Sequence, residues 1–598
     1  MDSYLPPLAD IEFVLNEIAG LPALLETPLY EAIDPATVSF VLAEVGRFMA
    51  EVVAPTNREG DQVGAVRNDD GSVTTPPSFG SAYRQWVASG FGAIPFDPDY
   101  GGGGFPWTVA LVIQEMLTSA NMAFSLCPLL TQGAIDALQH HGSDEQKQMY
   151  LPKMLTGEWA GTMNLTEPQA GSDVGALTAR AEPVGDGSYR ISGQKIFITF
   201  GEHDLADNIV HLVLARTPDA APGTRGISMF LVPKFLVDDD GSLGERNDVT
   251  CLSIEHKLGI HASPTCVLSY GEGGGAIGWL IGDEGDGMRN MFTMMNNARL
   301  SVGLQGLSLA ERAYQQALAY AVERRQGTAV GAERGTSSPI IDHADVRRML
   351  MTQRAWIDAM RCLLYANAAA IDRAAAFAGT PTGEAGRERA DLLTPLSKGL
   401  CTDVGCELTS LAMQIHGGMG YVEETGIAQF FRDARIAPIY EGTNGIQAAD
   451  LVGRKLPMRG GAAVVDQLDE VAAVAVELSV HEELKGFAGQ LESAVSAARR
   501  ATDWLLAHGA SDPNQALAGS SPYLRLLGTV VCGGLMGRAA VAASTRLAGG
   551  DEAEGLLRAK VVSARFFGEQ ILPTAVSLEA AVTAGAADLF ALSAEQLG

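Results

Sequence analysis

The hydrophobic period of this chain changes twice along its length, and the two changes limit the folds that it can adopt. From residue 37 to about residue 160, apolar residues recur at helical spacing, as at Val41, Leu42 and Val45. Between residues 161 and 283 the pattern becomes short apolar or β-branched runs separated by turns. Helical spacing returns at Gly287 and continues in long segments. The sequence therefore predicts an α+β multidomain protein, with an antiparallel β-domain between two helical domains.

The chain extends beyond these three regions at both ends. A short amphipathic helix is predicted near the start, and four further helical patterns follow a linker at 455–461, the last of them interrupted at Pro573. A chain of 598 residues is too long for one hydrophobic core. We predict an N-terminal helical segment, a helical domain, a middle β-domain, a helical bundle domain and a C-terminal helical extension, with the bounds 1–38, 39–160, 161–283, 284–457 and 458–598.

The composition limits the possible partners. Lys and Arg total 42 and Asp and Glu total 71, so the formal charge is −29, which disfavours binding to nucleic acid or to an anionic membrane. The first residues lack the basic start and apolar run of a secretory signal, and the apolar stretch 524–547 contains three arginines. The seven cysteines and ten histidines have no metal-ligand spacing. We expect a cytoplasmic protein with no metal site and no integral membrane segment.

One carboxylate stands out in the stretch IYEGTNGIQ at residues 439–447. Glu441 follows a mostly apolar approach and precedes Gly442. Apolar surroundings disfavour the charged form of a carboxyl group, so we expect the pKa of Glu441 to be raised, as suits a catalytic base near neutral pH. The alternative is that Glu441 merely precedes a helix beginning near Asn444, because Thr443 and Asn444 are both common N-cap residues. The stretch alone leaves both interpretations open.

Three other glycine-containing stretches combine with this one. They are LTEPQAGSD at 165–173, GQKIFIT at 193–199 and QIHGGMG at 414–420. Together with YEGT at 440–443, they resemble the signature motifs of the acyl-CoA dehydrogenases, flavoproteins that desaturate acyl-CoA thioesters. The resemblance covers residues 40–454, and the additions at both ends resemble a large subgroup of that family. A strand followed by G-x-G-x-x-G, the usual signature of an NAD enzyme, is not found.

The resemblance implies FAD as the cofactor and assigns residues to it. Glu441 would be the catalytic base, and its backbone N–H would also donate to the thioester oxygen. The cofactor contacts that it implies are Met163, Leu165, Thr166, Gly171, Ser172, Phe197, Thr199, Arg324, Gln326, Gln414, Gly417, Gly418 and Thr443. Many members of the family have Trp at the position of Phe197 and Asn at the position of Phe200. Phe197 retains an aromatic face for stacking but lacks the indole N–H.

The resemblance also implies substrate contacts and partners. The substrate contacts are Ser172, Asn296, Arg299, Tyr440 and Gly442, although Asn296 departs from the acidic residue that the family carries there. The segment with Arg324 resembles one that reaches the FAD of a neighbouring subunit, which implies a homodimer or a larger assembly. The electron acceptor would be an electron-transferring flavoprotein.

The sequence allows alternatives for the electron acceptor, the class of protein and the substrate. An oxidase with dioxygen as acceptor would use the same residues as the dehydrogenase. A flavin-containing nucleic-acid-binding module is disfavoured by the acidic C-terminal region. The substrate would be a fatty acyl-CoA or a methylthio-acyl-CoA, of which we expect the former. The methionines Met288, Met291, Met294 and Met295 would line an acyl tunnel or, as is commoner at helical spacing, pack in the core.

Overall fold

The computed structural model describes residues 4–598, apart from the side chains of Asn296 and Asn297. The chain packs as two compact units. One unit is formed by Glu44–Ala298, and the other is formed by Leu5–Ala43 together with Arg299–Gly598. The helices before and within the first unit are α1 Leu8–Val14, α2 Leu21–Leu25, α3 Pro35–Phe48, α4 Thr56–Val63, α5 Pro77–Ser89, α6 Trp107–Ala120, α7 Met122–His141 and α8 Asp144–Thr156.

Side-chain caps mark the start of two helices in the unit Glu44–Ala298, α7 and α8. Asn121 separates α6 from α7, and its side chain accepts a hydrogen bond from the backbone N–H of Phe124 at 3.0 Å. Ser143 and Gln146 form a reciprocal capping box at the start of α8. The glycine run at 101–104 turns back on the preceding loop, and its backbone N–H groups donate to carbonyl groups of residues 93–98. This run is therefore a structural loop.

The described residues of the same unit form twelve strands, of which the first two make a separate small sheet. They are β1 Val66–Arg67, β2 Val73–Thr74, β3 Trp159–Asn164, β4 Arg180–Pro183, β5 Ser188–Thr199, β6 Asn208–Ala215, β7 Ser228–Pro233, β8 Phe235–Val237, β9 Leu243–Arg246, β10 Val249–Ile254, β11 Thr265–Tyr270 and β12 Ala276–Ile281. The main sheet has the order β10-β11-β5-β12-β7-β6-β3, with β4 paired to β5. Its pairs are antiparallel except that β3 runs parallel to β6.

The unit with Arg299–Gly598 is helical. After α9 Gly287–Glu323, most of which lies in this unit, its helices are α10 Ala344–Ala376, α11 Pro381–His416, α12 Ile427–Ala434, α13 Asn444–Asp450, α14 Ala462–Ser479, α15 Lys485–Gly509, α16 Pro513–Ala518, α17 Ser520–Ala548, α18 Glu554–Phe566, α19 Leu572–Val576, α20 Leu578–Thr583 and α21 Ala594–Leu597. The four predicted patterns of the extension are confirmed as α14, α15, α17 and the group from α18 to α20. Pro573 lies in α19. Helix α17 is long and apolar enough to cross a membrane, but 83% of its most apolar window is buried within the protein.

Glycine brings α9 and α11 into backbone contact. A Cβ atom on Gly306 would collide with the carbonyl oxygen of Cys401, and one on Gly405 would lie 2.6 Å from Cα of Gly306. Any side chain at these positions would push the two helices apart. The contact therefore sets the spacing of the two helices that carry Arg299 and Lys398.

A buried cluster of charges joins the N-terminal segment to α10 and to the C-terminal extension. Nζ of Lys560 on α18 lies 2.6 Å from Oδ1 of Asp10 and 2.8 Å from Oδ1 of Asp358. Arg354 pairs with both of these aspartates, and the hydroxyl of Ser563 donates to Asp358 at 2.7 Å. Two carboxylates and two cations thus compensate each other inside the protein. This cluster is one polar connection between the additions at the two ends of the chain, and the ion pair of Arg546 with Glu17 at 3.1 Å is another.

Candidate active site

Glu441 lies in a strained turn immediately before α13. Its backbone has φ of 56°, and that of Gly442 has φ of 82°. A left-handed conformation costs a residue other than glycine about 1 kcal/mol or more, so surrounding contacts must hold it. Gln447 supplies such contacts, because its side-chain amide donates to the carbonyl of Gly442 at 3.2 Å and to that of Glu441 at 3.5 Å. The turn also has the feature named in the alternative interpretation, since Thr443 caps α13 by accepting from the N–H of Ile446.

Burial and two cations determine the charge state of Glu441. Burial raises the pKa of Glu441 to about 6, while the positive charges of Arg299 and Lys398 act in the opposite direction. The rise in pKa predicted from the apolar approach is therefore present. A carboxyl group with this pKa is ionised at neutral pH and is still basic enough to accept a proton.

Arg299 and Tyr440 flank the same turn. Arg299 is a buried residue of α9, and its Nη2 atom lies 4.0 Å from the place that a Cβ atom would take on Gly442. Such a Cβ atom would also approach Nε2 of Gln447 to 2.8 Å, so the position has no room for a larger side chain. The hydroxyl of Tyr440 donates to Oε1 of Gln305 on α9. The structure therefore brings together five predicted residues: Arg299, Tyr440, Glu441, Gly442 and Thr443. The side chain of Asn296, the other predicted contact on α9, lies outside the described residues.

Sequence reasoning missed two side chains that support this turn, Lys398 and Gln447. The predicted helix does begin at Asn444, and of the two predicted cap residues Thr443 is the one that caps it. Lys398 on α11 is fully buried and donates to Oδ1 of Asn444 at 2.8 Å. The amide nitrogen of Asn444 in turn donates to Asp403 at 2.7 Å. The available signal was a single lysine in the run LLTPLSKGL, where a cation at a buried helix position needs a functional or pairing reason.

The predicted cofactor contacts of the same unit lie at the ends of two helices. Arg324 is exposed just beyond α9, and its guanidinium donates to Oε1 of Gln326 at 3.4 Å. Gln414, Gly417 and Gly418 are exposed around the C-terminus of α11. A Cβ atom on either glycine would meet no heavy atom within 4 Å, so this backbone is open to a ligand. The rings of Tyr320 and His416 stack at 4.3 Å and hold the two helix ends together.

The remaining predicted cofactor contacts belong to the other unit, Glu44–Ala298. Phe197 on β5 has a left-handed backbone with φ of 59°, and the residue is 58% exposed. The N–H of Ile196 donates to the carbonyl of Thr166 at 2.9 Å, which places the loop 165–173 beside Phe197. Gly171 and Ser172 are exposed on this loop. An exposed aromatic face beside hydroxyl and backbone donors fits the ring system of a flavin, so the residues present are consistent with FAD.

A buried ion pair holds this loop in place. Nζ of Lys195 lies 2.8 Å from Oε1 of Glu167 and donates to the carbonyl of Leu165 at 3.0 Å. Glu167 also accepts hydrogen bonds from the backbone N–H groups of Thr178 and Ala179. The pair therefore fixes both the start of the loop and the strand that presents Phe197.

Family models match the chain almost throughout. They are described as the acyl-CoA dehydrogenase N-terminal domain, middle domain and C-terminal domain, and as an acetyl-CoA dehydrogenase C-terminal-like domain, and they match residues 38–158, 162–271, 285–456 and 464–593. The fold and these motifs define a flavin-dependent acyl-CoA oxidoreductase. The chain belongs to the acyl-CoA dehydrogenase family, whose cofactor is FAD, and it is an enzyme of that family.

Individual relatives cover nearly the whole chain. The chain is 47% identical to a 3-methylmercaptopropionyl-CoA dehydrogenase of Ruegeria pomeroyi, over 95% of this chain and 96% of that protein. It is 35% identical to a broad-specificity linear acyl-CoA dehydrogenase of Mycobacterium tuberculosis, over 96% and 97% of the two chains. A solved acyl-CoA dehydrogenase from Bacillus anthracis has the same fold, with a TM-score of 0.72 at 21% identity, over 94% of this chain and 89% of that one.

Proposed function

We propose that this protein desaturates an acyl-CoA thioester to the trans-2-enoyl-CoA, with Glu441 as the base that removes the α-proton. The observation that carries the proposal is the raised pKa of Glu441 in a turn held by Gln447. Removal of the α-proton leaves negative charge on the thioester oxygen, which needs a hydrogen-bond donor. The backbone N–H of Glu441, which has a left-handed conformation, would be that donor, as the family resemblance implies.

Different residues would have different roles in this reaction. Glu441 takes the α-proton, and the C–H electrons form the new double bond as the β-hydrogen leaves as hydride. Bound FAD would supply the acceptor for this hydride. Phe197, Thr166 and Ser172 would orient the flavin ring, and Arg324 with Gln414 would hold its nucleotide portion. Arg299 and Tyr440 would line the substrate side of the turn.

The partners follow from the same resemblance. We propose a homodimer, because Arg324, Gln414 and Gly417 are exposed on a single chain and would be available to a partner's cofactor. We propose an electron-transferring flavoprotein as the electron acceptor. An oxidase is the alternative, and stoichiometric peroxide formation in air would identify it.

The substrate class is a fatty acyl-CoA in our proposal, and a methylthio-acyl-CoA is the second candidate. The second candidate is favoured by the 47% identity with the Ruegeria pomeroyi enzyme. The methionine stripe does not favour either, because Met291 and Met294 are buried in a core cluster with residues of α7 and β3. Titration of the oxidised holoenzyme with both kinds of thioester, without oxygen, would rank them by the extent of flavin bleaching.

The variant Glu441→Gln tests the proposal. The amide keeps the shape of the side chain but cannot accept the proton, so we expect flavin reduction to slow by about 10²- to 10⁴-fold or more, with FAD content and affinity for a CoA product unchanged. In the unaltered protein the rate should fall as the pH drops through about 6, the pKa of Glu441. The control is Glu482→Gln, an exposed residue of the extension. Normal bleaching in Glu441→Gln would refute the assignment.

A further inference from the structure

Lys398 is a buried cation whose hydrogen-bond partner is a neutral amide. It is 0% exposed on α11, and its Nζ donates to Oδ1 of Asn444 at 2.8 Å. Taking an ammonium group out of water is costly unless a carboxylate compensates its charge at close range. The neutral amide of Asn444 accepts a hydrogen bond but compensates little of the positive charge. The electrostatic field of the Lys398 ammonium group therefore acts on the neighbouring ionisable groups.

Asn444 transmits the position of Lys398 to the catalytic turn. It is the first residue of α13 and lies three residues after Glu441. Its amide nitrogen donates to the carbonyl of Gly399 at 3.0 Å, to Oγ1 of Thr402 at 2.9 Å and to Oδ1 of Asp403 at 2.7 Å. These bonds attach the start of α13 to one turn of α11. A movement of Lys398 would therefore move the turn that carries Glu441.

The charges that face Glu441 come from several elements. Arg299 on α9 and Lys398 on α11 favour the ionised carboxylate, and burial opposes them. Asp403 on α11 and Asp450 on α13 face the two cations in turn, and Tyr440 adjoins the carboxylate. Burial lowers the pKa of Lys398 to about 8, although Glu441 and Asp403 favour its charged form. Lys398 is therefore still mostly charged at neutral pH.

We propose that Lys398 is a positioning residue for the reaction, which fixes the Glu441 turn through Asn444 and keeps the Glu441 carboxylate ionised until substrate binds. The inference rests on the proposed role of Glu441 as the base. It adds a specific task for a residue outside the motifs that define the family resemblance. Because the backbones of α9 and α11 are in contact, the charges of Arg299 and Lys398 keep a fixed spacing on their two helices.

The test is the pH dependence of flavin reduction by acyl-CoA, measured by stopped flow without oxygen. In Lys398→Met the acid limb of the pH–rate profile should move to higher pH, because the positive charge of Lys398 opposes the effect of burial on the Glu441 carboxyl group. Lys398→Gln keeps a donor for Asn444 but has no charge, and its limb should move in the same way. Lys398→Arg keeps the charge, and its limb should remain in place.

Thr402→Val is the matched control, because it removes a hydroxyl from the same hydrogen-bond cluster and leaves every charge intact. Its acid limb should not move, even if its maximal rate falls. The inference is overturned if Lys398→Gln keeps the limb of the unaltered protein, or if Thr402→Val shifts it as far as Lys398→Met does. Should Lys398→Met fail to fold, Lys398→Gln and Lys398→Arg decide the question. If Glu441→Gln is inactive but the acid limb of Lys398→Gln does not move, only the inference about Lys398 is rejected. If Glu441→Gln is active, the assignment of Glu441 as the base is rejected.

Discussion

Replacing Lys560 by methionine should destabilise the unit that contains it far more than an ordinary surface change. The side chain is 3% exposed, and it contacts two carboxylates at 2.6 and 2.8 Å. Within the cluster, Asp10 and Asp358 are balanced by Arg354 and Lys560. Burial alone would raise the pKa of Asp10, but Lys560 and Arg354 hold it below its usual value. Without Lys560 the cluster has one uncompensated buried negative charge.

The size of the effect follows from this uncompensated charge. Breaking a buried ion pair by removing one partner costs about 3–5 kcal/mol. The ammonium also lies 5.6 Å from the ring centroid of Phe13, a contact that contributes about 0.5–1 kcal/mol. Methionine restores most of the apolar volume of the lysine stem, so the cavity contribution is small. We therefore expect a loss of roughly 3–6 kcal/mol in the free energy of unfolding.

The assay is urea unfolding of the holoenzyme, followed by circular dichroism at neutral pH. The double variant Lys560→Met with Asp358→Asn removes one charge of each sign and should recover a large part of the loss. Lys485→Met, an exposed lysine that pairs with Glu482, is the matched control and should change stability by less than about 1 kcal/mol. A Lys560→Met protein as stable as that control, or a double variant less stable than Lys560→Met, would show that the cluster is not held together by charge balance.

Two other predictions concern the β-domain. Lys195→Met should leave Glu167 as a buried carboxylate without its cation and loosen the loop 165–173. FAD should then dissociate about tenfold more readily, as measured by the flavin released on gel filtration. Unchanged retention of FAD would contradict this role of the ion pair. Burial lowers the pKa of His203 and His211 to about 3, whereas the pKa of histidine in the unfolded chain is near 6.5. Both side chains therefore favour the folded state fully above pH 6.5. Below that pH the unfolded chain takes up protons first, and each histidine lowers the free energy of unfolding by up to about 1.4 kcal/mol per pH unit. His211→Asn should therefore show a shallower loss of urea midpoint between pH 6.5 and 5, and an unchanged slope would refute the argument.

The sequence pattern predicted the order of helical and β regions because both periodicities are local properties. The parallel pairing of β3 with β6 was not predicted. These strands are separated by β4 and β5, and the choice of neighbour depends on contacts across the sheet that no short window contains. The domain bounds set out above remain predictions.

The candidate site was predicted only in part, because part of it is local in the sequence and part depends on packing. Glu441 stood out because its neighbours along the chain are apolar and small. Its left-handed backbone was not readable, since glutamate rarely adopts that conformation, and it depends on Gln447 from the following helix. The role of Lys398 could not be predicted either, because it lies in the long helix α11, 43 residues before Glu441 in the sequence. Only the packing of α11 against α13 brings the two charges into interaction. Of the two cap residues that the sequence offered, Thr443 has that role, whereas the side chain of Asn444 bonds to α11.

The buried cluster of Asp10, Arg354, Asp358 and Lys560 has a consequence for synthesis of the protein in the cell. Asp10 leaves the ribosome about 550 residues before Lys560, which corresponds to roughly half a minute to two minutes at 5–20 residues per second. Until Lys560 is made, Arg354 is the cation that pairs with the two aspartates, and Phe13 of α1 lacks the neighbouring cations Arg546 and Lys560 of the extension. We therefore expect the first helix of the chain to complete its native contacts only after the extension has been made.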